Sequence, residues 1–265
     1  MNLRIGCGSW ADDEYVGLLY PTKLPAKERL RGYAAHFNYA EVNSTYYALP
    51  RPETVATWIE QTPPGFRFDL KLHRAFSQSP AKSAAGPMVA RLRAAAEPLV
   101  QAERFGVFFL VAPPTFGPDR HGLEEFDPLR QALAPHRLAI ELRHSGWVEG
   151  AQRDRSLAFF RTRQLVWICV DMPRIRESTI MPPEDIVTNS GVAYLRLHGR
   201  NPRWLEARSA EERHAYEYPA PQLTELAARI RRLAAEAREV HVVANNHAAD
   251  YAPRAALALK AELGV

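Results

Sequence analysis

The chain has 265 residues, of which 46% are hydrophobic and 24% charged, and its formal net charge is +4 at pH 7. This composition is that of an ordinary globular protein, and the length allows one large α/β domain or two small ones. It contains no apolar run of about 18 residues, as a membrane span would need, and the start MNLRIGCGSW lacks a secretory pattern. We therefore expect a cytoplasmic protein whose two cysteines are free thiols.

Eight short runs rich in β-branched or aromatic residues predict buried strands. In chain order they are Leu3–Cys7, Tyr39–Val42, Phe66–Leu70, Phe105–Val111, Arg137–Leu142, Leu165–Val170, Val192–Leu197 and Val240–Val243. Continuous apolar strands are typical of a parallel sheet that is covered on both faces.

Helical patterns follow seven of these strands, and the stretch after the sixth is at best a weak helix. Ala81 to Arg104 predicts a long Ala-rich helix, and Pro52, Pro221 and Pro253 stand where helix starts are expected. The alternation predicts an α/β fold, a single (β/α)₈ TIM-like barrel over residues 1–265. A doubly wound open sheet is the competing fold, but CGSWADDEY lacks the Gly-rich dinucleotide turn.

Polar residues concentrate at the C-terminal ends of the predicted strands, where a barrel builds its functional site. Three pairs, each two residues apart and so on one side of a strand, are Glu41/Asn43, Glu141/Arg143 and Arg196/His198. The group can be an ion-pair network that caps the barrel without chemistry, or a pocket for an anionic or polyhydroxylated ligand. The convergence of donors, acids and aromatic residues favours the pocket. Its predicted ligand-binding residues are Trp10, Asn43, Tyr46, Lys71, Arg143, Trp147, Arg196 and Asn245.

Six motifs stand in order along nearly the whole chain: IGCGSW, EVNSTYY, FDLKLHR, AIELRHSGW, YLRLHGRN and NNHAADYAPRAAL. Together they resemble the YecE-like family, known as domain of unknown function 72. The resemblance implies a TIM-barrel-like fold, in agreement with the strand count. It implies no reaction, because the activity of that family is not established.

The residue types suggest hydrolysis or transfer on a phosphorylated or glycosidic substrate, with Glu41, Glu141 and His198 as catalytic residues. Lys71 and the two arginines would bind an anionic group. We expect no cofactor. A divalent metal held by Glu41, Glu141, Asp171 and His198 is a weaker alternative, because metal-binding motifs are missing and positive neighbours would repel the ion.

Binding without turnover is the second class of function. The pI of about 9.1 and the aromatic residues fit a nucleotide or a nucleic acid. The basic residues are scattered, however, and match no nucleic-acid-binding motif. A small anionic or polyhydroxylated ligand is therefore the expected partner. We expect no membrane partner, and the sequence indicates no oligomeric state.

Overall fold

Eight parallel strands form a nearly closed barrel in the order β1-β8-β7-β6-β5-β4-β3-β2. The computed structural model describes residues 1–175, 178–246 and 248–265. The strands are β1 Leu3–Cys7, β2 Tyr39–Val42, β3 Arg67–Lys71, β4 Phe105–Val111, β5 Leu138–Glu141, β6 Val166–Asp171, β7 Val192–Leu197 and β8 Glu239–Ala244. All eight predicted strands are confirmed, and the bounds of β1, β2, β4 and β7 are those predicted.

Helices lie between the strands. They are α1 Arg29–Ala34, α2 Pro52–Gln61, α3 Arg74–Gln78, α4 Pro80–Ala84, α5 Met88–Gln101, α6 Asp127–Leu133, α7 Gly150–Thr162, α8 Ala210–His214, α9 Ala220–Glu236 and α10 Tyr251–Leu263. Helix α2 begins at Pro52, and Pro221 and Pro253 lie in the first turns of α9 and α10. Among the described residues, no helix combines the length and the apolar character needed to cross a membrane.

The long helix predicted over residues 81–104 is wrong as a continuous element. Helix α4 ends at Ala84, and α5 runs only from Met88 to Gln101. Gly86 and Pro87 stand between them. Proline lacks an amide hydrogen and disfavours the helical conformation of the residue before it, which explains the break.

The segment between β6 and β7 forms no helix in its described parts, 172–175 and 178–191. It runs instead antiparallel beside the chain that follows β5. The Ser145 amide donates to the Thr179 carbonyl oxygen (2.8 Å), and the Met181 amide donates to the Arg143 carbonyl oxygen (3.0 Å). These bonds fix the backbone that carries Arg143.

Side chains join β1 to β2, the two strands at the ends of the backbone ladder. The Tyr33 hydroxyl accepts a hydrogen bond from the Cys7 amide (2.6 Å) and donates to the Tyr39 carbonyl oxygen (2.9 Å). Asn38 makes two further bonds to the backbone of β1, at 3.2 and 2.9 Å. A Cβ at Gly6 would lie 2.1 Å from the Tyr39 carbonyl oxygen, so only glycine permits this close approach.

A small apolar core formed by alternate residues of six strands fills the barrel. Its members are Tyr39, Val107, Phe109, Ala139, Val166, Ile168, Val192, Tyr194 and Val243. The interior is therefore packed with side chains and is not a pore. Because side chains alternate along a strand, Glu41, Glu141, Arg196 and Asn245, each two residues beyond a core member, lie directly above this core.

Candidate functional site

Four strand ends bring seven of the predicted residues into one hydrogen-bonded network, and Arg196 is its centre. Its Nε and Nη2 donate to the two oxygens of Glu41 (2.9 and 2.6 Å), and its Nη1 donates to Oε2 of Glu141. Its Nη2 also donates to Oδ1 of Asn245 (3.1 Å). Both glutamates are 0% exposed and Arg196 is 1% exposed. One guanidinium thus bonds two carboxylates whose burial without a partner would be strongly unfavourable.

Each glutamate also bonds the polar residue two positions further along its strand. Asn43 Nδ2 donates to Oε1 of Glu41 (2.8 Å), and Arg143 Nε donates to Oε1 of Glu141 (2.7 Å). Burial alone would raise the pKa of Glu141, but the guanidinium groups of Arg143 and Arg196 outweigh it and hold that pKa well below its usual value. Glu141 is therefore ionised at neutral pH.

His198 is buried and has both ring nitrogens engaged. Its Nδ1 lies 3.0 Å from Asn245 Nδ2, and its Nε2 lies 3.3 Å from Glu141 Oε2. Because an amide NH₂ can only donate, Nδ1 accepts and Nε2 carries the hydrogen that points to Glu141. Burial lowers the pKa of His198 to about 4, so the ring is neutral at pH 7. In this arrangement His198 positions Glu141. His198 could exchange a proton with a ligand only after its hydrogen bond to Glu141 or to Asn245 breaks.

Lys71 is the last residue of β3, and its side-chain amine has no hydrogen bond or ion pair among the described residues. Its Nζ lies 4.7 Å from the centre of the Tyr46 ring. Burial and the nearby Arg196 lower the pKa of Lys71 to about 8, while Glu41 and Glu141 act in the opposite direction. Part of this amine is therefore neutral near physiological pH.

Two further groups at this end of the barrel have no polar partner within the described ranges. One is Oδ1 of Asn43, which is buried, and the other is the terminal pair of guanidinium nitrogens of Arg143, whose Nε alone is bonded. Arg143 is also one of the charges that lower the pKa of Lys71, so the two cations act on one region. A ligand with an anionic group and a hydroxyl would supply the partners that these atoms lack.

The predicted aromatic residues lie in three different places. Tyr46 contacts Lys71, as described above. Trp10 packs edge-on against Trp58 (ring centres 5.4 Å apart) and lines a separate cavity of about 400 Å³ beside α1 and α2. Trp147 is 1% exposed and donates from Nε1 to the Phe116 carbonyl oxygen (2.7 Å). The Trp147 ring thus packs in the core, and its contact with a ligand stays a prediction.

Asp171, which we considered as a metal ligand, belongs to a different cluster. It accepts hydrogen bonds from Arg200, Arg229 and the Tyr218 hydroxyl, at 2.7 to 3.2 Å. Within the described part of the chain, no group of three or more His, Cys, Asp or Glu residues is arranged to hold a metal ion. His247, three residues further along the sequence than the end of β8, lies outside the described residues.

A hydrogen-bonded column that we did not predict continues below the site into the barrel. The Tyr194 hydroxyl donates to Oε2 of Glu41 (2.9 Å) and lies 2.8 Å from the Tyr39 hydroxyl, which donates to Asp69 (2.5 Å). Asp69 also lies 2.6 Å from Nδ1 of His241. Burial would lower the pKa of His241, but Asp69 outweighs it and raises that pKa to about 9. The sequence signal was a polar residue at alternate positions of otherwise apolar strands.

The fold and the site define a TIM-like barrel with a polar network at the C-terminal ends of its strands. Residues 4–265 match the family described as Protein of unknown function DUF72, and the chain belongs to that family. The resemblance and the barrel fold inferred from the sequence are thus both confirmed.

Relatives and solved structures agree with this assignment. The chain is 22% identical to the UPF0759 protein YunF of Bacillus subtilis over 255 aligned residues. The alignment covers 92% of this chain and 89% of YunF. It is 32% identical over 156 residues to the UPF0759 protein YecE of Escherichia coli K12, 58% of this chain and 53% of YecE.

Crystal structures of two DUF72 family proteins superpose on the whole chain. The protein from Enterococcus faecalis V583 matches with a TM-score of 0.89 and 26% sequence identity. The superposition covers 99% of this chain and 96% of the Enterococcus chain. The protein from Thermotoga maritima MSB8 has a TM-score of 0.87 and 28% identity, and covers 100% of both chains. These names state a family and no reaction.

Proposed function

We propose that the C-terminal face of the barrel binds a small anionic compound that carries hydroxyl groups, such as a phosphorylated sugar. The observation that supports this proposal is the set of unpaired polar groups: Nζ of Lys71, the terminal nitrogens of Arg143 and Oδ1 of Asn43. Two of these groups are cationic donors, and the third is an acceptor for a ligand hydroxyl.

The charges of the site favour an anion. Three cations, Lys71, Arg143 and Arg196, stand against two carboxylates, Glu41 and Glu141, which leaves one positive charge in excess when Lys71 is protonated. An incoming anion would compensate this charge. The two carboxylates are covered and bonded to Arg196, so their role in binding is to hold the guanidinium groups in place.

Calorimetric titration with inorganic phosphate and with glycerol 2-phosphate tests the proposal, and uncharged glycerol serves as the ligand control. A charge-assisted hydrogen bond contributes about 1.5–3 kcal/mol, so K71M and R143M should each weaken binding about 10- to 100-fold. K82M, which removes an exposed lysine on α4, should leave binding unchanged. Equal affinity in K71M, R143M and the unmodified protein would refute the proposed site.

The competing ligand is a nucleic acid. Its binding would weaken steeply as salt rises, because many phosphates release counterions together. A single phosphate group should show a much shallower salt dependence. Titration with a single-stranded oligonucleotide at two salt concentrations therefore separates the two proposals.

Hydrolytic or transfer chemistry on a phosphorylated or glycosidic compound is the second candidate function. The observation that favours it is the ionised Glu141 in the same network as Arg143, near an amine, Lys71, with a pKa of about 8. The acid/base pair Glu41 and Glu141 stays a prediction, because a substrate would reach these buried carboxylates only after the bonds to Arg196 open. Turnover of nitrophenyl phosphate or nitrophenyl glycosides that E141Q abolishes would support it.

A further inference from the structure

We propose that Lys71 is a carbonyl-reactive amine that forms an imine with an aldehyde or ketone whose anionic group Arg143 holds. The inference rests on the proposed function, because it uses the same two groups, Lys71 and Arg143. It narrows the ligand to an anionic carbonyl compound, and it narrows the chemistry to reactions that pass through a covalent lysine adduct.

The hydrogen bonds around Lys71 leave its amine available. A lysine that only neutralises a buried acid would pair with Glu41 or Glu141. Both oxygens of Glu41 already accept bonds, from Arg196, Asn43 and Tyr194, and both oxygens of Glu141 are bonded by Arg143, Arg196 and His198. Nζ of Lys71 lies instead 4.7 Å from the centre of the Tyr46 ring.

The charges around Lys71 favour the neutral, nucleophilic form of the amine. Burial is the largest cause of its lowered pKa, and Arg196 and Arg143 add to it. With a pKa of about 8, about half of the amine is neutral at pH 8, against roughly one molecule in 300 for an ordinary lysine. A nucleophilic lysine needs this neutral fraction, whereas a lysine that serves only as a counter-charge does not.

The proposed step is a condensation. The lone pair of Nζ attacks the carbonyl carbon, a C–N bond forms, and the carbonyl oxygen takes up a proton from the amine. The resulting carbinolamine loses its hydroxyl together with the remaining amine proton as water, and a C=N bond replaces the C=O bond. The step needs no oxidant or reductant, and hydrolysis of the imine restores the amine.

The other lysines of the chain provide internal controls. The chain has five lysines, and Lys23, Lys27 and Lys82 are exposed. Lys260 donates to the carbonyl oxygen of His36, so its amine is engaged. Selective chemistry at Lys71 can therefore be recognised within one protein sample.

Reductive trapping tests the inference. The full chain is incubated at pH 8 with glyoxylate, which carries an aldehyde and a carboxylate, and is then treated with borohydride and mapped by mass spectrometry. We expect the carboxymethyl adduct at Lys71 to exceed that at each exposed lysine about tenfold or more, because its neutral fraction is larger. Inorganic phosphate should reduce labelling at Lys71 and leave the exposed lysines unaffected.

Two variants and the phosphate titration of the unmodified protein separate this inference from the proposed function. K71R cannot form the imine and should lose the selective adduct, whereas K82R, at an exposed lysine on α4, should keep both the adduct at Lys71 and phosphate binding. A label spread evenly over the lysines, with phosphate binding intact, would overturn the imine and leave the anion site. Absence of both the selective label and phosphate binding in the correctly folded protein would overturn both.

Discussion

Replacement of Arg196 by methionine tests whether one guanidinium holds the two buried glutamates together. Methionine has a similar length and can occupy much of the same space without a charge. Glu41 and Glu141 would then remain at 0% exposure without the group that bonds them both. The structure predicts a large loss of stability, because two like charges would face each other in a medium of low polarity.

The expected loss is about 4 kcal/mol at pH 7. Removal of one partner from a buried ion pair lowers stability by about 3–5 kcal/mol. Arg196 donates three hydrogen bonds to carboxylates, but Arg143 continues to compensate Glu141, so the loss should stay within that range. Domains unfold with about 5–15 kcal/mol, so R196M should remain folded with a much reduced margin.

Urea unfolding followed by circular dichroism measures the effect, and R155M, which removes an exposed arginine on α7, is the matched control. The double variant R196M/E41Q also removes the charge of Glu41, which has lost its arginine partner, so it should be more stable than R196M alone. The deficit of R196M should also shrink as pH falls, because Arg196 helps to hold the pKa of Glu141 low and this carboxylate takes up a proton more readily without it. A deficit below about 1 kcal/mol, or strictly additive effects of R196M and E41Q, would refute the reasoning.

Three further predictions concern the barrel interior and the side chains that join β1 to β2. The pKa of His241 is raised from 6.5 to about 9, so its stabilisation should be complete below pH 6.5 and lost as pH rises through 9, by about 3 kcal/mol in all. In urea unfolding, H241Q should abolish this loss of stability at alkaline pH. An unchanged pH dependence in H241Q would contradict the ion pair between His241 and Asp69. The pKa of His198 is lowered from 6.5 to about 4, so the free energy of unfolding should fall as pH drops from 6.5 to 4. H198N should reduce this pH dependence. Y33F leaves the Cys7 amide and the Tyr39 carbonyl without their bridging hydroxyl and should lower stability by about 2–4 kcal/mol, whereas Y47F, at an exposed position, should change nothing. Equal unfolding midpoints of Y33F and Y47F would show that the contact between β1 and β2 does not depend on the Tyr33 hydroxyl.

The strands and their inward positions were predictable because they depend on local patterns. Runs such as Phe105–Val111 are apolar throughout, and alternation alone places Glu41 with Asn43 and Glu141 with Arg143 on one side of their strands. The hydrogen bonds within both pairs confirm this interpretation. The break before α5 was also a local signal, carried by Pro87, which the Ala-rich composition obscured.

The partners across the barrel were not predictable, because they depend on tertiary packing. The sequence offered three cations for two acids, and only the fold shows that Arg196 bonds both acids while Lys71 bonds neither. Tyr39 and Tyr194 were counted as apolar strand residues, so the column that their hydroxyls form down to Asp69 was missed. The position of Trp147 likewise depends on its packing against Phe116, a residue 31 positions away.

A crystal soaked in selenate, an anion that anomalous scattering locates directly, would test the anion site most simply. We predict selenate within hydrogen-bond distance, about 3 Å, of both Nζ of Lys71 and the terminal nitrogens of Arg143, and we predict its loss from that position in R143M. Selenate bound only among the arginines of the cavity lined by Arg174, Arg200 and Arg232, with the groups at Lys71 and Arg143 unoccupied, would contradict the proposed binding site.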